Sequence, residues 1–315
     1  MTWLITGGSG YIGSHVVQEF LSHGYSVLSL DLKEPHELFL SDSNFEFIQL
    51  DLMDFKSVEN VFTTRKFEGV IHLAALKSVV ESFEFESRYL DINYHATLNL
   101  AKIAKSNQIS KFINTSSAAV YGNPTSSIVD ESAKVNPISP YGATKYKSEE
   151  SLRKMHQDSN FKSISLRYFN VIGAAKFELR DHSINNVVPI FLNALENDVK
   201  PTIFGFNLNT IDGTPVRDYI HVGDVAKINF LLATMHWVQN IPDTFNVGTG
   251  VGTSVKQIYE TISDILGKKP GFNSAPLRAG EPEVIISNIS LLKEYIAEIQ
   301  FLSAREAIWS LFDFS

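Results

Sequence analysis

The sequence predicts an α/β fold, a doubly wound parallel sheet with a smaller α/β lobe, on three observations. Short runs rich in Val, Ile, Leu and Phe alternate with helix-period segments through the first half. Those runs are mostly continuous rather than alternating, as strands covered on both faces are. A glycine-spaced loop joins the first run to the first helix. Strict strand–helix alternation implies right-handed crossovers and hence a parallel sheet. With 315 residues, 44% hydrophobic and 20% charged, the chain is long enough for about two domains. That composition excludes a disordered chain and a small stapled scaffold.

The expected strands of the first half are Trp3–Thr6, Ser26–Leu30, Phe45–Leu50, Gly69–Leu73, Phe112–Thr115 and Ser163–Tyr168. In the first helix Ile12, Val16, Val17, Phe20 and Leu21 share one face, and Gly24 stands where a C-terminal capping glycine belongs. Between strand and helix runs Thr6-Gly7-Gly8-Ser9-Gly10-Tyr11-Ile12-Gly13. Glycine at 7, 10 and 13 permits a tight turn, backbone approach to a pyrophosphate and close helix–strand packing. The helix N-terminus then offers free N–H groups and partial positive charge. Asp31 ends the second strand, 18 residues beyond Gly13, where a carboxylate accepts both hydroxyls of an adenosine ribose and repels a 2′-phosphate. This is a Rossmann arrangement, and it points to NAD rather than NADP.

Pro137 and Pro140 mark the start of a helix carrying Tyr141-Gly142-Ala143-Thr144-Lys145. Residues four apart share a helix face, so Lys145 reaches the surroundings of the Tyr141 phenol. A free phenol titrates near 10, and a neighbouring ammonium and a positive nicotinamide ring would both lower it toward a competent base. Thr115-Ser116-Ser117 closes the fifth strand on the edge where parallel sheets bind ligands, so a serine hydroxyl there could bridge a sugar hydroxyl and the Tyr141 oxygen.

After about residue 170 prolines, asparagines and glycines become frequent, while helical runs persist near 187–197, 224–236 and 254–266. The expected division is a first domain over 1–170, to which about 217–247 returns, and a second lobe over 171–315. Cysteine is absent, which removes disulfides, thiolate catalysis and cysteine-ligated metals, and the histidines show no metal-ligand spacing. The net charge of −8 with no basic run argues against nucleic acid. No apolar stretch approaches a membrane span, and the N-terminus lacks a signal-peptide pattern, so a cytoplasmic protein is expected.

With glycine loop, strand-end serine and Tyr-x3-Lys helix in order, the chain resembles the extended short-chain dehydrogenase/reductases. Within them it is most similar to the UDP-glucose 4-epimerase (UDP-galactose 4-epimerase) family. The stretches that carry the resemblance run from Ala74 to Ser82, Ser116 to Gly122, Ser139 to Gly142, Leu166 to Asn170 and Gly213 to Val222. The resemblance implies that Tyr141 is the catalytic base, Lys145 its partner and ribose ligand, and Ser117 the proton relay. For NAD it implies contacts from Gly7, Gly10, Tyr11, Ile12, Gly13, Asp31, Leu32, Asp51, Leu52, Leu73, Ala74, Ala75, Lys77, Asn93 and Phe169, beside Ser117, Tyr141 and Lys145. For a UDP-sugar it implies Asn170, Asn186, Val187, Thr202, Ile203, Phe204, Arg217, Tyr219, Arg278 and Glu281. Arg217 and Arg278 make chemical sense as diphosphate clamps in an acidic protein.

Leu32 replaces the asparagine that often follows the strand-end Asp, and Ile285 falls near the sugar at a variable position of the family. Ala118 and Ala119 follow Ser117 where related 4,6-dehydratases place an acid–base pair. The implied activity is therefore reversible 4-epimerisation through transient C4 oxidation by bound NAD. The alternatives are an epimerase of another UDP-sugar (an N-acetylhexosamine, pentose or uronate) and a non-catalytic NAD-binding regulator. The resemblance also implies a homodimer through helices near 87–107 and 139–157, and no metal.

Overall fold

The computed structural model describes residues 2–157, 160–183, 186–278, 281–297 and 299–312. In chain order, β1 (Thr2–Thr6), α1 (Tyr11–Ser22), β2 (Ser26–Asp31), β3 (Phe45–Gln49), α2 (Phe55–Thr64) and β4 (Gly69–His72) come first. α3 (Val79–Glu84), α4 (Glu86–Leu90) and α5 (Ala96–Ser106) follow, the last two joined by a π-helical stretch at Asp91–His95. β5 (Lys111–Ser117), the short β6 (Ile128–Val129), α6 (Pro140–His156) and β7 (Lys162–Tyr168) lead to β8 (Asn170–Ile172). Next are α7 (Val187–Glu196), β9 (Thr202–Phe204), β10 (Val216–His221), α8 (Val222–Thr234) and β11 (Thr244–Val247). The remaining elements are β12 (Gly252–Ser254), α9 (Val255–Leu266), β13 (Asn273–Ala275), β14 (Val284–Ser287), α10 (Ser290–Tyr295) and α11 (Ala304–Trp309). Each expected strand of the first half is present within two residues of its expected bounds.

The chain forms two compact units. The first comprises Met1–Val120, Pro137–Arg167 and Val225–Phe245; the second comprises Tyr121–Asn136, Tyr168–Asp224 and Asn246–Ser315. The expected boundary at residue 170 thus misses one excursion. Residues 121–136 belong to the second unit, because β6 pairs with β14 and sets Ile128 beside Ile286. Two residue pairs are too short a strand to stand out as periodicity in the sequence.

Among the described residues the large sheet runs β11-β7-β5-β4-β1-β2-β3, and β3, β2, β1, β4 and β5 are mutually parallel. Strand order reverses between β1 and β4, and ligands of doubly wound sheets bind at the carboxyl ends of strands at such a reversal. One apolar cluster of the first unit packs Leu4, Leu28, Val70 and Phe112 from the strands against Val58, Leu100 and Leu152 from α2, α5 and α6. On α1, Phe20 meets Phe230 of α8 edge-on at 5.2 Å between ring centres.

In the second unit β10 lies between β12 and β14 and also pairs with β8, placing Tyr219 beside Asn170. β9 pairs with β13. The core gathers Val188, Phe191 and Leu195 of α7, Ile258 and Ile262 of α9, and Ala307 and Ile308 of α11 around Tyr219 and Ile203. Among the described residues no helix is long and apolar enough to cross a membrane.

Candidate active site

The glycine loop leaves β1 at the strand-order reversal. Gly7 takes φ +75°, and a Cβ there would lie 2.5 Å from the backbone nitrogen of Ala74. A Cβ on Gly13 would lie 1.9 Å from the Gly7 carbonyl oxygen. The loop is therefore bare backbone by steric necessity. No side chain caps α1, and its first turn holds no acid, so its positive end is left for an anion from outside. Ser9 Oγ is buried with no hydrogen-bond partner among the described residues. The Ser9 N–H donates to Asp31 Oδ2 at 3.0 Å, and the Lys33 N–H to Asp31 Oδ1 at 3.1 Å, which ties loop to strand end. Leu32 beside it is 59% exposed.

Asp51 accepts the Met53 N–H in the turn after β3, and Leu52 packs onto the core. Leu73, Ala74 and Ala75 follow β4, half-buried, and Lys77 is exposed. Asn93 fixes this segment: its side chain accepts the Leu76 N–H at 2.8 Å and donates to the Leu76 carbonyl at 3.0 Å. It does so from the π-helical stretch, where the Ala96 N–H reaches back five residues to Asp91. The widened turn leaves the Asn93 carbonyl to the hydroxyls of Thr97 and Ser148. Uncapped helix, bare loop, orphaned Ser9 hydroxyl and Asp31 together fit a dinucleotide.

α6 starts at the Ser139 N-cap, with Pro140 in its first position and the Gly142 N–H donating to Ser139 Oγ at 3.1 Å. Gly142 lets the helix meet the end of β5, since a Cβ there would sit 2.6 Å from the Ala119 carbonyl oxygen. Tyr141 is half-buried, its ring edge-on to buried Tyr89 at 6.5 Å. The Ser117 hydroxyl stands near enough to the phenol to lower its titration. Lys145 donates to the Thr115 carbonyl at 2.8 Å, and its Nζ lies 6.0 Å from the Tyr141 ring centre.

The electrostatics differ from the expectation at one point. Burial pushes the Tyr141 phenol up, and the Ser117 hydroxyl opposes it. The Lys145 amine is directed at a strand carbonyl. Burial pushes Lys145 itself down to about 8, with the charge of Glu149 working against the fall.

In the second unit, Glu281 stands between two arginines: 3.6 Å from Arg217 Nη2 and 3.3 Å from Arg278 Nη1. The Arg278 guanidinium lies over the Phe204 ring at 4.0 Å. Thr202, Ile203 and Phe204 form β9, so these predicted contacts come together. Burial pushes the Tyr219 phenol up and the Arg217 guanidinium down. Asn170 is exposed on β8, Phe169 is buried, and Ile285 pairs with Arg217. Val187 is the first residue of α7, and Asn186 before it donates to Asp181 Oδ2 at 2.8 Å instead of capping the helix.

Sequence reasoning missed the groups that hold these side chains. Asp218, fully buried, accepts from Thr249 N and Oγ1, Gly250 N, and Ser287 N and Oγ, between 2.5 and 3.1 Å. It anchors β10 between Arg217 and Tyr219. Glu149 continues the Tyr141–Lys145 spacing by one more turn, but its partners Ser116 and Arg167 lie on other elements.

Residues 3–248 match the profile of the NAD dependent epimerase/dehydratase family. UDP-glucose 4-epimerase 4 of Oryza sativa subsp. japonica is 36% identical over 305 residues, covering 91% of this chain and 82% of the rice protein. Bifunctional protein gal10 of Schizosaccharomyces pombe is 35% identical over 88% of this chain, which spans only 42% of that protein's length. The UDP-glucose 4-epimerase of Bifidobacterium longum, solved with NAD+ and UDP, matches with a TM-score of 0.90 at 30% identity, covering 99% of this chain and 97% of that one. The UDP-Glc/GlcNAc 4-epimerase of Campylobacter jejuni matches with a TM-score of 0.85 at 33% identity, covering 99% and 98%.

Proposed function

The chain belongs to the NAD dependent epimerase/dehydratase family, and from that premise we propose that it interconverts UDP-glucose and UDP-galactose at C4. NAD, when bound, supplies the acceptor and donor of the C4 hydride. Gly7, Gly10 and Gly13 with the start of α1 would hold its pyrophosphate and Asp31 its adenosine ribose; Tyr11, Ile12, Leu32, Asp51, Leu52, Leu73 to Ala75, Lys77, Asn93 and Phe169 would be its further contacts. Arg217, Tyr219 and Arg278 would hold the UDP, with Glu281, Asn170, Asn186, Val187 and Thr202 to Phe204 around it.

Tyr141 takes the proton of the sugar 4-hydroxyl, directly or through Ser117, and later returns it to the same oxygen once the 4-keto ring has turned over. Lys145 keeps positive charge beside the phenolate as it forms. The two arginines keep the 4-keto sugar tethered by its diphosphate while the ring turns over. The observation that carries the reading is the α6 face, which brings Tyr141 to Ser117 and bonds Lys145 to the same strand end. Ala118 and Ala119 support epimerisation over dehydration, because elimination across C5–C6 needs an acid and a base there.

The test is to incubate the purified protein with UDP-galactose and no added NAD, then analyse the sugars. UDP-glucose should accumulate to equilibrium. Tyr141→Phe should lower kcat by roughly 10²–10⁴-fold, the usual span for a general acid–base group. Conversion confined to UDP-N-acetylhexosamines would move the substrate assignment, and no conversion of any nucleotide sugar would remove it. Turnover of the Tyr141→Phe variant close to wild type would take the phenol out of its role.

A further inference from the structure

Glu149 lies on α6 one turn beyond Lys145 and two beyond Tyr141, fully buried. It accepts the Ser116 hydroxyl at 2.5 Å, and Arg167 of β7 donates to it from Nε at 3.0 Å and from Nη2 at 2.7 Å. Ser116 is the middle of a three-residue strand end. The carbonyl of Thr115 before it receives the Lys145 amine, and Ser117 after it neighbours the phenol and lowers its titration. One carboxylate therefore grips the centre of the segment whose two neighbours hold the reacting pair. Buried ion pairs add little net stability over an apolar pair of the same volume, so stability alone is a weak account of this one.

We propose that Glu149 is a positioning residue for the reaction: clamped by Arg167, it fixes the end of β5 against α6 and supplies the negative charge that keeps the Lys145 amine protonated. The charged and titratable groups facing that amine are Tyr141 and Glu149 on α6, His72 on β4 and, through Glu149, Arg167 on β7. His72 is held neutral by burial and by Lys145 itself, so the negative charge that raises Lys145 is that of Glu149. The Lys145 amine titrates at about 8, where loss of that charge changes its occupancy at working pH.

The turnover half of the test rests on the epimerase reading; the titration half does not. In the NAD-loaded protein the Lys145 amine is followed by lysine NMR against pH, assigned with Lys145→Met. Glu149→Gln should lower its titration by about one unit, a loss of ammonium that approaches tenfold above about pH 8. It should lower kcat roughly tenfold with KM for the UDP-sugar within about twofold, and move the alkaline limb of kcat downward. Should Glu149→Gln not fold, the paired Glu149→Met/Arg167→Met replacement removes both buried charges; lowered kcat in that folded variant supports the clamp. Wild-type kcat, pH profile and Lys145 titration in the Gln variant, or wild-type kcat in the paired one, would overturn it. An inactive wild type whose Lys145 still shifts in the variant would remove the epimerase reading and leave the electrostatic half standing.

Discussion

His72 has no room for a proton. Its ring lies between Thr6 Oγ1 at 2.7 Å and Thr97 Oγ1 at 2.8 Å. Thr97 donates its own hydrogen to the Asn93 carbonyl, so its oxygen accepts from His72 Nε2–H, and Nδ1 accepts from Thr6. Burial first, and the Lys145 charge second, push the imidazole down to about 3. The unfolded chain binds this proton near 6.5 and the folded one only near 3, so stability is full above 6.5 and falls as pH drops through that window. Denaturant unfolding at a series of pH values should show that decline, and His72→Asn should flatten it while lowering stability at neutral pH. An unchanged slope in the variant would place the acid sensitivity elsewhere. Tyr141, Lys145 and Ser117 were legible as residues because chemistry and spacing coincide within one helix and one strand end. His72, Glu149 and Asp218 were not, because the partners that make them unusual lie 66, 33 and 69 residues away.

At the scale of elements, the glycine loop and α1 form one device, and two glycines at either end of the helix separate its demands. A Cβ on Gly13 meets the Gly7 carbonyl, whereas one on Gly24, at φ +76°, meets open space. Gly13→Ala must displace backbone at the anion cradle, so the purified protein should lose NAD on gel filtration and about 1–3 kcal/mol of stability. Gly24→Ala should cost roughly 1 kcal/mol of left-handed strain and keep its NAD. Equal retention in both variants would detach the loop from the cofactor. Strands β1, β2, β4 and β7 were legible because both their faces are buried along nearly continuous apolar runs; β3 is half-exposed. The π-helical turn at 91–95 and the three-residue strands β8, β9, β12 and β13 were not, since tertiary hydrogen bonds rather than local pattern create them.

For the whole molecule, the proposed nucleotide grip is two arginines and a tyrosine in the second unit of a chain of net charge −8. UDP at about one hundred times its Kd should add about 2.7 kcal/mol to the unfolding free energy, by mass action. In Arg217→Met the same UDP concentration should add much less, while the variant without UDP keeps near-normal stability. An equal increment in both would place the nucleotide away from β10. The alternation of strands and helices revealed the sheet, but not the number of times the backbone leaves it. The polypeptide changes unit after residues 120, 136, 167, 224 and 245. The second unit is therefore not a cassette: no single recombination crossover can transplant it from a relative. A chimaera would have to exchange three separate stretches of the gene together, the shortest of them sixteen codons bearing β6.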